Sequence, residues 1–314
     1  MSQSKQSPPA SGVYVALATP RQSDSTEADA AGLLDYMDTV MRAGINGVVL
    51  FGSTGEFVHF DAAERMRVLS LAMRRSRVPV LVNVSHSTLA GVLELAQDAM
   101  GAGAAGLLLM PPYFYRYSDE QVFAFYQEFA RAMRGKTSTY LYNLPFFTNP
   151  IGPDLANRLL LSGAFAGIKD SSGEAKMFNA LRELRLRMPF SLLVGSESLY
   201  VEARLAGADG IVSGVAAALP ELVVAIERAL LANDVDRARK LNVRLSEFVE
   251  WVNRFPATVA IKQAAVARGW KLNHFAFPLG EQTTADLATF HHWLHSWLPA
   301  VLSECAEAAT AMRA

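Results

Sequence analysis

The chain has 314 residues, of which 51% are hydrophobic and 19% charged, a composition typical of a soluble globular protein with a large core. A formal net charge of −1 gives no electrostatic basis for binding nucleic acid or an anionic membrane, and no uncharged apolar stretch is long enough to span a bilayer. The single cysteine, Cys305, excludes an internal disulfide and a cysteine-based zinc site, which suits a reducing compartment, so we expect a cytoplasmic protein.

Residues 1–11 are polar and proline-rich and lack an apolar signal core, which predicts a disordered N-terminal arm. Short apolar runs rich in β-forming residues follow, at Val13–Thr19, Gly47–Phe51, Val78–Val84, Ala105–Met110, Ser138–Asn143, Ala164–Lys169, Phe190–Gly195 and Asp209–Gly214. Helical patterns alternate with them, at Asp29–Ala43, Asp61–Arg77, a segment ending near Met100, Ser118–Met133, Pro153–Leu161, Glu174–Arg187, Leu199–Ala206 and a segment starting near Pro220.

The apolar runs do not alternate with polar residues, so the predicted strands are buried on both faces and should be parallel. Eight such βα units over about 220 residues indicate an α/β fold, a (β/α)8 TIM barrel, over residues 12–232. A doubly wound open sheet would have a G-x-G-x-x-G turn after its first strand, and VALATPRQ has none. Residues 233–314 carry further helical patterns and predict a C-terminal helical extension, with helices at Asp234–Trp251, Ala257–Arg268 and Thr284–Leu302.

Active sites of such barrels lie at the carboxyl ends of the strands. Lys169, one of seven lysines, closes the sixth apolar run. A lysine desolvated there can lose its proton and act as an amine nucleophile, although a strand-end lysine more often snorkels or pairs with an acid. Tyr142, at the end of the fifth run, offers a phenol as proton donor and acceptor, although an isolated tyrosine is usually structural.

The segment GSTGE, Gly52–Glu56, follows the second run. Its hydroxyls, Ser53 and Thr54, and loop amides made accessible by Gly52 and Gly55 are suited to holding a carboxylate. GSTGE alone is a weak turn signal. Its occurrence together with Tyr142 and Lys169 at three strand ends favours amine-based carbonyl chemistry.

Five motifs, LATP, GSTGE, PPYF, YNLP and GIKD, occur at or after the first, second, fourth, fifth and sixth strands. In order and spacing, from about Val13 to the C-terminal helices, the chain resembles the dihydrodipicolinate synthase / N-acetylneuraminate lyase family of class I pyruvate-dependent aldolases. The resemblance implies that Lys169 is the Schiff-base lysine and that Tyr142 shuttles protons. It implies that Ser53 and Thr54 hold the pyruvyl carboxylate and join the proton relay.

The same resemblance implies a small 2-keto acid substrate and a covalent imine on Lys169, with no metal and no other cofactor. It also implies a homo-oligomer, which we expect to be a tetramer. The aromatic loop Pro111–Tyr117 supports this expectation, because a monomer would expose its rings.

Two residues depart from the family pattern. Phe147 stands where the synthase branch carries an arginine for the carboxylate of aspartate semialdehyde, and an apolar ring cannot make that bidentate contact. Phe114 stands where a neighbouring subunit usually supplies a relay tyrosine. A hydroxyl shifted to Tyr113, Tyr115 or Tyr117 is one substitute, and proton transfer through water or the substrate is the other.

The remaining candidates come from the ends of strands six, seven and eight. Ser171, Ser196, Glu197 and Ser213 are predicted to bind substrate, the pair Ser196–Glu197 by contacting hydroxyls of a sugar-acid chain. The alternative for Glu197 is the first-turn acid of the next helix. His59 and His86, like His291 and His292, lack metal-ligand spacing and predict no metal site, and SGVAA after strand eight lacks a basic partner for a phosphate.

The favoured hypothesis is a Schiff-base lyase or aldolase acting on pyruvate or a pyruvate-yielding 2-keto acid, such as a 2-keto-3-deoxy sugar acid aldolase or a dehydratase-like enzyme. The alternative within the family is dihydrodipicolinate synthase (4-hydroxy-tetrahydrodipicolinate synthase). An alternative of another class is a non-catalytic ligand-binding barrel, which Phe114 motivates and which the presence of Lys169 and Tyr142 opposes. A phosphosugar isomerase barrel is less favoured than the non-catalytic ligand-binding barrel.

Overall fold

The computed structural model describes residues 9–311 apart from Asp24 and Ala257. Residues 1–8 of the predicted N-terminal arm lie outside the described residues. Ala10, near the end of that arm, is buried, and its backbone N–H donates to Oη of Tyr140 at 3.0 Å. The chain is therefore anchored to the barrel two residues before the first strand begins.

Eight parallel strands form a closed barrel in sequence order, which confirms the predicted fold. They are β1 (Gly12–Ala16), β2 (Gly47–Leu50), β3 (Val80–Asn83), β4 (Gly106–Leu109), β5 (Thr139–Asn143), β6 (Gly167–Asp170), β7 (Ser191–Val194) and β8 (Gly210–Ser213). The first and last strands close the barrel, with Gly12 opposite Gly210.

Most strands are shorter than the apolar runs that predicted them. The first run extends to Thr19, but β1 ends at Ala16, while Leu17, Ala18 and Thr19 stay buried beyond the sheet. An apolar run in the sequence indicates only that its residues are buried. A residue belongs to a strand only if its backbone also forms hydrogen bonds with a neighbouring strand. The extra buried residues form the first part of the loops at the carboxyl ends of the strands.

Helices follow the strands: α1 (Ala30–Arg42), α2 (Ala62–Arg75), α3 (Leu89–Gly101), α4 (Asp119–Met133), α5 (Pro153–Leu161), α6 (Ala175–Arg185), α7 (Tyr200–Leu205) and α8 (Pro220–Leu231). Side-chain caps fix several starts, such as Asp61, which accepts from the N–H of Glu64, and the Ser118–Gln121 capping box. Short 3₁₀ segments at Phe57–His59, Glu197–Leu199 and Val215–Ala217 were not predicted, because three residues are too few to show a helical period.

The C-terminal extension consists of α9 (Val235–Val252), α10 (Val259–Ala267) and α11 (Glu281–Ala311). Aromatic rings of α9 and α11 pack on each other, with the centroids of Trp251 and Phe290 5.5 Å apart and those of Phe248 and Trp297 5.8 Å apart. The last helix is longer than the predicted Thr284–Leu302. No helix in the described part of the chain is long and apolar enough to cross a membrane.

Candidate active site

A cavity of about 580 Å³ opens at the carboxyl ends of the barrel strands. Strand ends, loops and the C-terminal extension all contribute to its lining. Seven of the ten predicted site residues line it, namely Ser53, Thr54, Tyr142, Phe147, Lys169, Ser171 and Glu197. The barrel thus brings together, from four strand ends, side chains that are up to 144 residues apart in sequence, counting from Ser53 to Glu197.

The pairing of β5 with β6 sets the centre of the site. Tyr142 lies opposite Lys169 and Asn143 opposite Asp170. Successive side chains of a strand point to opposite faces, so the first pair faces the cavity and the second faces away from it. Nδ2 of Asn143 donates to Oδ1 of Asp170 at 2.8 Å, and burial raises the pKa of Asp170. This buried contact fixes the register that places Lys169 beside Tyr142.

Lys169 is only 4% exposed, and its Nζ lies 4.0 Å from the centroid of the Tyr142 ring. Among the residues that the structure describes, no carboxylate oxygen lies within ion-pairing distance of this ammonium group. Lys169 is therefore neither a snorkelling lysine nor one neutralised by an acid. Its amine faces the cavity and is free to react with a ligand there.

The hydroxyl of Tyr142 lies 3.4 Å from Oγ of Ser53, which joins the tyrosine to the GSTGE loop. A second hydroxyl, that of Tyr113, belongs to a residue of the same cavity wall, with its ring edge-on to Phe57 at 5.9 Å. Burial raises the pKa of Tyr113. Phe114 is 86% exposed and has a φ of +82°, a left-handed conformation that costs energy for a residue with a side chain. Of the three predicted substitutes, Tyr113 alone lines this chain's own cavity.

The GSTGE loop folds tightly against the end of β1. A Cβ atom on Gly55 would lie 3.0 Å from the carbonyl oxygen of Leu17, so only glycine fits there without a shift. The backbone N–H groups of Ser53 and Thr54 donate to no acceptor within the described part of the chain. Together with the two hydroxyls, these amides form a suitable cradle for a carboxylate.

Gly195, directly after β7, makes room for the side chain of Lys169. A Cβ atom there would overlap Oγ of Ser171 and would lie 2.9 Å from Cε of Lys169. The glycine therefore lets both side chains occupy their positions in the cavity. Sequence reasoning singled out Ser196 and Glu197 in this segment but not Gly195, because a glycine at a strand end is also an ordinary turn signal.

The C-terminal extension is tied to the GSTGE loop by a buried ion pair. Lys262 of α10 is fully buried, and its Nζ donates to Oε2 of Glu56 and, at 3.0 Å, to the carbonyl oxygen of His274. Burial lowers the pKa of Lys262, and Glu56 opposes that shift. Nε of Arg21 lies 3.9 Å from the same carboxylate oxygen. Glu56 also lines the cavity, so this pair fixes the extension next to the site.

The sequence pattern of the Dihydrodipicolinate synthetase family matches residues 9–296 of the chain. A 4-hydroxy-tetrahydrodipicolinate synthase of Methanothrix thermoacetophila is 30% identical over 281 residues, which are 88% of this chain and 94% of the relative. The chain belongs to the dihydrodipicolinate synthetase family. Members of this family are class I pyruvate-dependent lyases and aldolases, which confirms the predicted activity class.

Solved structures agree with this family assignment. YagE, a prophage protein of the dihydrodipicolinic acid synthase family from E. coli K12, solved in complex with pyruvate, aligns with a TM-score of 0.84 and 26% identity over 91% of this chain and 98% of its own. The 2-keto 3-deoxygluconate aldolase from Picrophilus torridus aligns with a TM-score of 0.77 and 23% identity over 82% of this chain and 93% of its own, and so shares the fold.

Three of the predicted substrate-binding residues of this family member do not line the cavity. Ser213 is fully buried, donates to Oε1 of Glu197 at 2.8 Å and accepts from the N–H of Ala216 at 3.0 Å. It therefore positions Glu197 and does not face the cavity. Gly52, the first residue of the GSTGE loop, is buried, and Ser196 points toward Gly173. Strand-end position alone did not distinguish inward from outward side chains.

Glu197 is held by two donors, Ser213 and the N–H of Val215, which is 3.1 Å from Oε1. Glu197 thereby accepts from the first residue of the 3₁₀ segment Val215–Ala217. The alternative expected for it was the first-turn acid of its own segment, Glu197–Leu199, and it makes no capping bond there.

His59 lines the cavity, and burial lowers its pKa. His86 bonds to the hydroxyl of Thr88 in a turn, and no three His, Cys, Asp or Glu side chains of the described residues form a cluster that would hold a metal ion.

The largest omission from the predicted site is the contribution of the C-terminal extension. Six residues from the end of α9 and from the segment around the start of α10 line the cavity: Val249, Val252, Asn253, Phe255, Thr258 and Ile261. No local motif marks these positions. Their helical pattern alone is equally consistent with a helix packed on any outer face of the barrel.

Proposed function

We propose that this family member is an aldolase that binds pyruvate as an imine on Lys169 and joins its methyl carbon to an aldehyde, or cleaves the corresponding 4-hydroxy-2-oxo acid. The observation that carries the proposal is a buried lysine without an acid partner among the described residues, in a cavity and against the Tyr142 ring. The imine is the covalent intermediate, and the proposal requires no metal or separate cofactor.

The reaction begins when the neutral amine of Lys169 attacks the keto carbon of pyruvate and water leaves as the imine forms. Loss of a proton from the methyl group gives an enamine. The methyl carbon then bonds to the aldehyde carbon, and the resulting alkoxide takes up a proton. Water finally hydrolyses the imine, which releases the 4-hydroxy-2-oxo acid and regenerates the amine.

Tyr142 is the group best placed to move these protons, since its ring contacts Nζ of Lys169 and its hydroxyl lies 3.4 Å from Ser53. Ser53 and Thr54 would hold the carboxylate of pyruvate with their hydroxyls and their backbone N–H groups. Tyr113 would supply the additional relay hydroxyl from within the same chain, because Phe114 has none.

Trapping of the imine tests the proposal. We expect borohydride reduction in the presence of pyruvate to add one reduced pyruvyl group to the peptide that contains Lys169, and to leave the peptide that contains the buried, paired Lys262 unlabelled. Lys169→Ala should abolish labelling, whereas Lys176→Ala, a change at an exposed lysine of α6, should not. Pyruvate binding without any labelling would identify a non-catalytic binding barrel.

Dihydrodipicolinate synthase is the second candidate, because relatives such as the Methanothrix enzyme bear that name. Phe147 lines the cavity where an arginine would be needed, and none of the described lining residues is an arginine. Arg116, the nearby rim arginine, donates to the carbonyl oxygen of Thr148 at 3.2 Å. We expect poor condensation of pyruvate with aspartate semialdehyde, and efficient formation of dihydrodipicolinate would support the second candidate.

We also propose that the protein assembles as a homotetramer. The loops after β4 and β5 expose large rings in this single chain: Phe114, Tyr115, Tyr117, Phe146 and Phe147. Exposed aromatic groups clustered in this way are typical of protein interfaces. Light scattering at micromolar concentration should give the mass of a tetramer, and a fully active monomer would contradict the proposal.

A further inference from the structure

The outer wall of the cavity, which lies beyond the strand ends, is apolar. We define it by Val58, Leu144, Phe147, Val249, Val252 and Phe255, all of which line the cavity. The first three come from loops after β2 and β5, and the last three come from the C-terminal extension. The cavity therefore has a polar floor with Lys169, Tyr142 and Ser53, and an apolar wall around the space next to it.

Three polar groups near the outer wall are occupied by partners within the protein, whereas the side chains of Asn253 and Thr258 make no hydrogen bond within the described part of the chain. Glu56 pairs with Lys262, and Glu197 accepts from Ser213 and from the N–H of Val215. The hydroxyl of Thr148 donates to the carbonyl oxygen of Leu144. A chain of hydroxyl groups in this space would find few partners, and each unsatisfied polar group placed there would cost free energy.

Positively charged side chains are also scarce in the cavity lining. Lys169 is the sole lysine, and no arginine is present, among the described residues that line the cavity. Its amine is consumed by the imine. His59 remains as a titratable group, and burial lowers its pKa, which disfavours its cationic form. A second carboxylate on the substrate would therefore lack a cationic partner.

We infer that the aldehyde partner carries an apolar group of about the size of a phenyl ring, and that the cleavage substrate is the matching 4-aryl-4-hydroxy-2-oxobutanoate. This inference rests on the proposed function, and it selects an apolar acceptor over the sugar-acid chain expected from the sequence. The cavity volume of about 580 Å³ is within the range of small-molecule sites and accommodates pyruvate and an aromatic aldehyde together. Carbon–carbon bond formation follows the steps given above, with no additional reactant.

A comparison of acceptors tests the inference. Pyruvate consumption is measured with benzaldehyde, with D-glyceraldehyde as the polyhydroxy acceptor and with aspartate semialdehyde as the anionic one. We expect kcat/KM for benzaldehyde to exceed that for either of the others by at least about tenfold, because only the phenyl group replaces water against the outer wall. An equal or higher kcat/KM for glyceraldehyde or aspartate semialdehyde would overturn the inference.

Substitutions at Val252 test whether the outer wall causes the preference for benzaldehyde. Val252→Arg places a charge in the outer wall, and we expect it to lower kcat/KM for benzaldehyde by about 100-fold. Val243→Arg is the matched control, since Val243 is an exposed residue of the same helix that does not line the cavity, and this variant should behave as wild type. Val252→Thr, nearly isosteric, covers the case in which the arginine variant does not fold, and should reduce the preference for benzaldehyde by roughly three- to tenfold.

Borohydride labelling of Lys169 distinguishes a failure of the acceptor inference from a failure of the proposed function. If pyruvate labels Lys169 but benzaldehyde is not preferred, or if Val252→Thr leaves the preference unchanged, the inference about the acceptor is wrong and the proposed function stands. If pyruvate does not label Lys169, the proposed function itself is wrong.

Discussion

Two lysines are buried among the residues that the structure describes, one at the end of a barrel strand and one in the C-terminal extension. Lys262 is paired with Glu56 and also donates to the carbonyl oxygen of His274. Lys169 has no carboxylate within ion-pairing distance among the described residues and contacts the ring of Tyr142. Burial is common to both side chains, so burial alone does not determine whether a lysine is paired with an acid. The difference is that the paired lysine holds two regions together, whereas the unpaired one faces a cavity.

The ring beside Lys169 carries a hydroxyl group, unlike the Phe275 ring beside Lys262. The ring closest to Lys169 is that of Tyr142, whereas Lys262 lies 5.6 Å from the centroid of Phe275. We expect Tyr142→Phe to lower kcat by about 10²–10⁴-fold, the usual contribution of a proton-transfer group. The melting temperature should stay close to that of wild type. Steady-state kinetics and thermal unfolding measure both quantities.

Tyr140→Phe is the matched control, because Tyr140 lies two residues earlier on the same strand. Its hydroxyl accepts from the N–H of Ala10, and neither residue lines the cavity. That variant should lose about 1 kcal/mol of stability and keep its kcat. If both tyrosine variants keep kcat within a factor of about two of wild type, Tyr142 has a structural role only.

The paired lysine should matter for stability. Lys262→Met removes the cation and leaves the carboxylate of Glu56 without its main partner. Breaking a buried ion pair from one side typically costs about 3 kcal/mol or more, and we expect that loss in the free energy of unfolding by urea. Lys240→Met, at an exposed position of α9, is the control and should change stability by less than about 0.5 kcal/mol.

The double variant Glu56→Gln with Lys262→Met sharpens this test. Because both charges are then absent, part of the lost stability should return, although Arg21 loses its carboxylate neighbour. A single Lys262→Met variant as stable as wild type would show that the pair does not hold the extension on the barrel.

The smallest of the expected effects concerns the space around Lys169, the proposed Schiff-base lysine. Gly195→Ala forces Ser171 and Cε of Lys169 to move, and we expect kcat/KM to fall by about 10- to 100-fold, because a displaced nucleophile reacts less often. Gly101→Ala is the control, since no atom lies within 4 Å of its added methyl group. Full activity of the Gly195→Ala variant would mean that the position of Lys169 tolerates such a shift.

The sequence by itself determined the barrel and the floor of the site. Buried strands in a parallel barrel must be continuously apolar, so eight such runs alternating with helices predicted the fold. Because the strands of a parallel barrel all end at the same rim, the polar residues after each run had to converge. That rule was enough to place Lys169, Tyr142, Ser53 and Thr54 in one cavity.

Only the tertiary structure decided which strand-end side chains face inward and what lies opposite them. Ser213 was expected to bind substrate, yet its hydroxyl donates to the carboxylate of Glu197. The preceding residue of β8, Val212, lines the cavity, and successive side chains of a strand point to opposite faces. The Glu56–Lys262 pair joins residues that are 206 positions apart, and half of the outer wall comes from the C-terminal extension, where no local motif marks it. Such contacts depend on how the extension packs on the barrel. That packing results from many weak apolar contacts, which no short segment of sequence encodes.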